Sequence, residues 1–327
     1  LHDALPIYLV LEGWQHANAF LQLLFESPSL KGHVRELALE RPRRTLEDRL
    51  RRDETSDGPF APLIMVLNAC KDIRCLSIQN SPSDESLQRS LVQSFIHLPH
   101  LTSLQLGGKA DPNADTDIDY DEFVDLLSSC RHLTRLAVAV DLSPSETSRP
   151  LPSSHAHLRR LTAHLVNASN ETALSFARIA FPSLVKIDLS SAESSLTHAG
   201  LLAACHCLPT TLKTLFLVSP FDQSLRPLLS LFSLFPTLTN TVLHPDDSVP
   251  AHLDALPSSL RTLHFAPPLG WNGVNLTRVV QAFADRIENG KLVFLAQVIF
   301  PRAEVRPLAK KRLEKAVEGH GISLRWK

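Results

Sequence analysis

The sequence predicts an α/β solenoid, a stack of about nine to ten irregular units in which each short parallel strand is followed by a covering helix. Three observations lead there. One six-residue pattern, apolar-x-x-apolar-x-apolar, returns again and again along the 327 residues. Between most copies lie stretches whose leucines fall at helical spacing. The apolar content also comes in uniform small units, with 58 leucines against 6% aromatic residues. A chain this long exceeds the usual size of one compact core, yet no Gly/Ser-rich linker divides it. An elongated repeating architecture reconciles the two.

Taken in order, the clear copies are VRELAL from Val34, IRCLSI from Ile73, LTSLQL from Leu101, LTRLAV from Leu133, LVKIDL from Leu184, LKTLFL from Leu212 and LRTLHF from Leu260. Weaker copies are LRRLTA from Leu158, LTNTVL from Leu238 and LVFLAQ from Leu292. Most starts are spaced near the ~20–29-residue period of a leucine-rich repeat, the longer gaps being insertions. Helices are expected in SLQRSLVQSFIHL, YDEFVDLLSSC, ETALSFARIAF, THAGLLAACHCL, SLRPLLSLFSL and NLTRVVQAFADRI. No single strand–helix unit buries its own apolar face. Stacked side by side, the strands pair in parallel on a concave side and the helices cover the convex side, giving a leucine-rich-repeat solenoid. Pro99, Pro182, Pro209, Pro236 and Pro257 stand just before strands, where proline stops the preceding helix and sets an extended approach.

The expected organisation is a single repeat domain over residues 8–327, with a helical lead-in over 8–30 and a C-terminal cap over 302–327. The stretch KKRLEKAVEGHGISLRWK reads as a helix and a last strand with the charged face a cap requires. The opening LHDALPI, residues 1–7, reads back codon for codon as the end of a sequencing adapter and is expected to be an artefact. On that reading the chain is a fragment that has lost whatever preceded Tyr8.

The stretch LTHAGLLAACHCLPTTLKTLFL resembles the cysteine-containing repeat of F-box proteins, through Leu196, Thr197, Ala199, Gly200, Leu201 and Cys205. Cys70 and Cys130 sit similarly before their strands. FLQLLFESPSLKGHVRELAL is similar to the start of fungal, basidiomycete-type F-box proteins, and HGISLRW to their ending. The resemblance implies a protein–protein interaction module, the substrate-recognition domain of a cullin-type ubiquitin ligase. It also implies that a Skp adaptor would bind only through an F-box absent here. The alternative is a leucine-rich-repeat scaffold, or a secreted ligand-binding glycoprotein, without a ligase role; Asn167, Asn170 and Asn275 head sequons that secretion would expose.

Composition narrows the chemistry. With 33 Lys plus Arg against 34 Asp plus Glu, the net charge of -1 offers no whole-surface attraction to nucleic acid or acidic lipid. No apolar run approaches the ~18 residues of a membrane span. Five cysteines at irregular spacing suggest reduced, buried thiols and a cytoplasmic or nuclear location. No nucleophile elbow, Walker loop or dinucleotide fingerprint is present, so an enzyme is not expected and no cofactor is called for. Asp111 to Glu122 (DPNADTDIDYDE) matches an EF-hand loop in part, but Thr116 replaces the turn glycine and a strand precedes it. The simpler expectation is an acidic loop whose last carboxylates cap the helix beginning at Tyr120. Cys205-His206-Cys207 lacks a second ligand pair. Glu40 to Gly58 carries six arginines interleaved with acids, as a solvated insertion does. His97, His132 and His157 adjoin strand starts, where a polar rim is natural.

In L-x-x-L-x-L the third and fifth residues project from the concave sheet, because strand side chains alternate. These positions place Arg135, Arg160 and Lys186 in one row, with Thr162, Asp188 and Phe216 beside it and Arg159 and Lys213 flanking. Like charges on adjacent strands repel by about 0.2–1 kcal/mol. The expected partner is therefore a protein substrate presenting an acidic or phosphorylated segment, with Phe216 as aromatic anchor.

Overall fold

The computed structural model describes residues 6–12, 14–40, 61–78, 85–107, 118–141, 154–166, 169–179, 181–192, 198–218, 232, 234–243, 253–265, 274–302 and 305–327. The insertion over 41–60, most of the EF-hand-like loop and most of SLRPLLSLFSL lie outside them. The chain divides into two compact units, residues 1–166 and 167–327.

In the first unit six strands lie in sequence order, each parallel to the next: β1 (Ile7–Glu12), β2 (Val34–Glu40), β3 (Cys75–Ile78), β4 (Ser103–Leu106), β5 (Arg135–Asp141) and β6 (Arg160–Val166). Among the described residues four helices return the chain between them: α1 (Trp14–Glu26), α2 (Ala61–Ala69), α3 (Glu85–Ile96) and α4 (Tyr120–Ser129). The register aligns the repeat leucines. Leu37, Leu76, Leu104, Leu136 and Leu161 are paired strand by strand and are all buried. Burying each such side chain contributes about 1.5–3 kcal/mol, so this row is the backbone of the unit's stability.

The second unit repeats the plan with β7 (Lys186–Ala192), β8 (Thr214–Val218), β9 (Asn240–Leu243), β10 (Thr262–Phe265), β11 (Gln297–Phe300) and β12 (Ser323–Trp326). Again each pairs in parallel with the next. Helices α5 (Asn170–Ala177), α6 (His198–His206), α7 (Val274–Glu288) and α8 (Pro307–Gly319) accompany them. Gly290 and Gly321 follow α7 and α8 at φ 71° and 69°, the left-handed conformation that closes a helix end and that glycine adopts without strain. Towards the C-terminus the core becomes aromatic. Phe300 stacks on Phe265 at 4.6 Å and on Trp326 at 5.3 Å, while Phe283 from α7 meets both phenylalanines edge-on.

Two sequence expectations change. Residues 7–12 form a strand where a helical lead-in was expected, because IYLVLE is a β-branched and aromatic run that pairs with β2 and buries Leu11. The repeat copy placed at Leu292 is displaced by three residues. Leu292 lies in a turn at φ 59°, and the repeating unit is LAQVIF, with Leu295, Val298 and Phe300 buried and Val298 opposite Leu263.

Candidate functional site

In β5 and β6 burial alternates residue by residue: Leu136, Val138 and Val140, and Leu161, Ala163 and Leu165, are buried. Their neighbours occupy the open face. Arg135 stands directly opposite Arg160, and Ala137 opposite Thr162. Both arginines are exposed. Arg159 is exposed where β6 begins, its backbone N–H and that of Arg160 both donating to the Thr134 carbonyl at 2.9 and 3.0 Å. Among the described residues no carboxylate pairs with Arg135, Arg159 or Arg160. The register continues the row to Ser103, Cys75 and Glu36. Burial pushes the half-buried Cys75 thiol up and Glu36 adds to it, while Arg135 and Arg74 pull it down, so the Arg135 field reaches two strands away.

The edge where these strands start carries a second set of bases. His132 and His157 face each other across successive turns with ring centroids 5.9 Å apart. His100 occupies the same turn one repeat earlier, with Nε2 3.9 Å from Asp72 Oδ1, and Arg35 pairs with Asp72 at 2.9 Å. The rim histidines are therefore His100, His132 and His157; His97 lies at the end of α3. Thr102 and Thr134 brace this edge, their hydroxyls donating to the carbonyls of Arg74 and Thr102. Behind it His155 is buried and its Nε2 is 3.1 Å from the Cys130 carbonyl oxygen.

In the second unit Lys186 and Asp188 lie opposite Thr214 and Phe216. The Lys186 ammonium sits 4.9 Å from the centroid of the half-buried Phe216 ring, a cation–π contact. Lys213 is exposed at the start of β8, and its N–H donates to the Val185 carbonyl at 2.9 Å. Of the eight residues read as a partner surface, Arg135, Arg159, Arg160 and Thr162 thus belong to the first unit. Lys186, Asp188, Lys213 and Phe216 belong to the second.

No protein family matches the sequence, and no curated protein is similar to it. Among solved structures the chain is similar to the leucine-rich-repeat-containing protein LegL7 from Legionella pneumophila, with TM-score 0.53 and 13% identity over 98% of this chain and 89% of that one. The chain has the leucine-rich-repeat fold. A protein from Bacteroides fragilis aligns over 96% of this chain and 82% of its own at 12% identity and TM-score 0.48.

Within the leucine-rich-repeat frame the remaining candidates take plain roles. All five cysteines are free thiols. Cys70, Cys130 and Cys205 are buried at repeat core positions, where desolvation pushes them up to about 11, 12 and 12. Cys207 is exposed, so Cys205 and Cys207 face different surroundings. Among the described residues no three metal-ligating side chains converge. Asp111 to Asp117 fall outside the described residues. Asp119 and Glu122 form a capping box on α4: Asp119 Oδ1 accepts from the Glu122 N–H at 2.7 Å, and Glu122 Oε2 accepts from the Asp119 N–H at 3.1 Å. Glu122 also accepts from Gln88 at 3.0 Å. Among the described residues no helix is long and apolar enough to cross a membrane.

Strand periodicity places Arg135 and Arg160 outward, as the structure does, but gives no sign that His132 meets His157. The recurrent His-Leu before the strand, at 100, 132 and 157, was the available signal.

Proposed function

We propose that this leucine-rich-repeat chain is a protein-interaction module that captures an acidic or phosphorylated segment of a partner protein. The observation that carries this reading is the exposed Arg135–Arg160 pair, held in register on adjacent strands with no carboxylate partner among the described residues. A standing repulsion on an open sheet face is relieved when an anionic segment lies across it. Arg159 and Thr162 extend the surface in the first unit. In the second unit Lys186, Asp188, Lys213 and Phe216 offer a further patch, with Phe216, in its cation–π contact with Lys186, as aromatic anchor.

The finer role we propose is substrate recognition by a fungal F-box protein in a cullin-type ubiquitin ligase. The cysteine-bearing repeat around Cys205, with its glycine and buried thiol, supports it by resemblance. Free thiols at all five cysteines suit a cytoplasmic or nuclear location. On this reading a Skp adaptor binds through an F-box and not through the repeats; co-purification of residues 8–327 with the adaptor would contradict it.

Selection of randomised peptides displayed against the immobilised full chain tests the interaction surface. An acidic family is expected, and it should disappear when the selection is repeated on Arg135→Glu with Arg160→Glu. Selection of acidic peptides that are indifferent to both substitutions would overturn the reading.

A further inference from the structure

The two faces of the second unit differ in chemistry. Its helical side is charged: Arg286 and Lys291 pair with Asp254 at 3.2 and 3.4 Å, and Arg312 pairs with Asp285 at 2.7 Å. The open face of its sheet is charged only at its ends, where Lys186 and Asp188 of β7 adjoin Thr214 and Phe216 and the exposed Arg325 of β12 adjoins Ile299. From β8 to β11 the first outward position of each strand is Thr214, Asn240, Thr262 and Gln297, aligned by register and each half-buried. The second outward position is Phe216, Val242 and His264, each half-buried, and Ile299, which is 8% exposed. Burial pushes His264 below the usual histidine range, with Lys327 adding to the effect, so this row is uncharged at neutral pH. A row of neutral hydrogen-bonding groups therefore runs beside a row of apolar ones, across four strands. Surfaces left to water usually carry charges at about a quarter to a third of their positions.

The amides decide what fits. Asn240 Nδ2 donates to Thr239 Oγ1 at 3.0 Å and lies 3.4 Å from Thr214 Oγ1, while its carbonyl oxygen accepts from no described residue. The Gln297 amide has no partner among the described residues. Each carboxamide both donates and accepts. That pairing matches a peptide group, and an extended main chain is the protein surface that presents N–H and C=O groups without partners; a helix has already spent them. The spacing agrees. Asn240 and Gln297 are two strands apart, about 9.6 Å at ~4.8 Å per strand, the length of three residues of extended chain at ~3.3 Å each. Phe216 and Ile299 are three strands apart, about 14 Å, close to two steps between alternate side chains of such a chain.

We infer that the open sheet face of the second unit binds an extended, uncharged peptide segment crossing β8 to β11, its main chain held by Asn240 and Gln297 and apolar side chains four residues apart set on Phe216 and Ile299. This site is separate in chemistry from the arginine pair of the first unit, and each can fail alone.

The same display selection on the full chain supplies the probe. A second family is expected, uncharged, with apolar residues four positions apart. A synthetic member should bind at least tenfold more weakly to Asn240→Leu with Gln297→Leu, while Arg135→Glu with Arg160→Glu leaves it unchanged. Its twin with N-methyl groups on alternate amides, which removes main-chain donors and keeps the side chains, should lose binding to the same degree. Retention of the N-methylated twin would overturn main-chain recognition. Absence of an uncharged family would overturn the site. Concentration-dependent self-association that Asn240→Leu with Gln297→Leu abolishes would assign the face to a second copy and overturn the peptide. The leucine variants should keep the wild-type circular dichroism; if they do not, Asn240→Ser with Gln297→Ser provides the same reading.

Discussion

Replacing Arg160 by Glu should make the protein more stable and a poorer binder. Arg135 and Arg160 are directly opposed on β5 and β6 and both are exposed. Directly opposed like charges in a sheet cost about 0.2–1 kcal/mol, and an opposite pair contributes a similar amount. Exposure and screening put this pair towards the lower half of that range, so the swing from repulsion to attraction is about 1 kcal/mol at low salt. Arg160→Gln removes only the repulsion and should recover about half of it. The assay is urea denaturation followed by circular dichroism, in about 0.01 M and about 1 M salt, where the screening lengths are ~30 and ~3 Å. The expected order at low salt is Arg160→Glu, then Arg160→Gln, then wild type, collapsing at high salt. An Arg160→Glu variant less stable than wild type at low salt, or a gain that survives about 1 M salt, would refute the account of this face as electrostatically frustrated.

Other outcomes follow from the same geometry. His155 is 3% exposed and burial holds it below the usual histidine pKa, so the folded state takes up fewer protons than the unfolded one as pH falls through about 6.5. Stability should therefore drop from pH 7 to pH 5, with His164 and His264 acting in the same direction; His155→Leu, the residue found at this repeat position in Leu98, should flatten that slope, and an unaltered slope would contradict it. A Cβ on Gly200 would lie 2.0 Å from Asn170 Oδ1. Gly200→Ala should thus push the exposed Asn170 side chain aside and realise less than the ~1 kcal/mol that alanine's better helix propensity offers, and adding Asn170→Ala should release the rest of that gain in urea melts. Iodoacetamide should label Cys207 in the native protein and Cys70, Cys130 and Cys205 only after unfolding, as read by mass spectrometry.

What could be read from the sequence was what repeats. The leucines of VRELAL, LTSLQL or LTRLAV mark buried strand positions because alternation puts every second side chain into the core, and the same alternation sent Arg135 and Arg160 outward. Reading failed where the pattern lost its contrast. In APLIMVLNA, Ala61–Ala69, apolar residues surround the helix with no polar stripe to show its period. At residues 7–12 a strand stood outside the recognised repeats, and at Leu292 two overlapping leucine frames were equally good until the turn at φ 59° selected one. Side-chain meetings were out of reach altogether. The Lys186 contact with Phe216 and the facing rings of His132 and His157 join residues 30 and 25 positions apart, which only the stacking of repeats brings together.

The most direct test of the interaction surface is an exchange of charge. An acidic peptide recovered by display and its charge-inverted twin, with Lys in place of each Asp or Glu, are titrated by fluorescence anisotropy against the wild type and against Arg135→Glu with Arg160→Glu. Reversing two exposed pairs removes two attractions and adds two repulsions, about 2 kcal/mol or roughly thirtyfold in affinity. The acidic peptide should weaken by that factor on the variant while its inverted twin gains, with the circular dichroism unchanged. Equal affinities of each peptide for both proteins would place the partner surface away from β5 and β6.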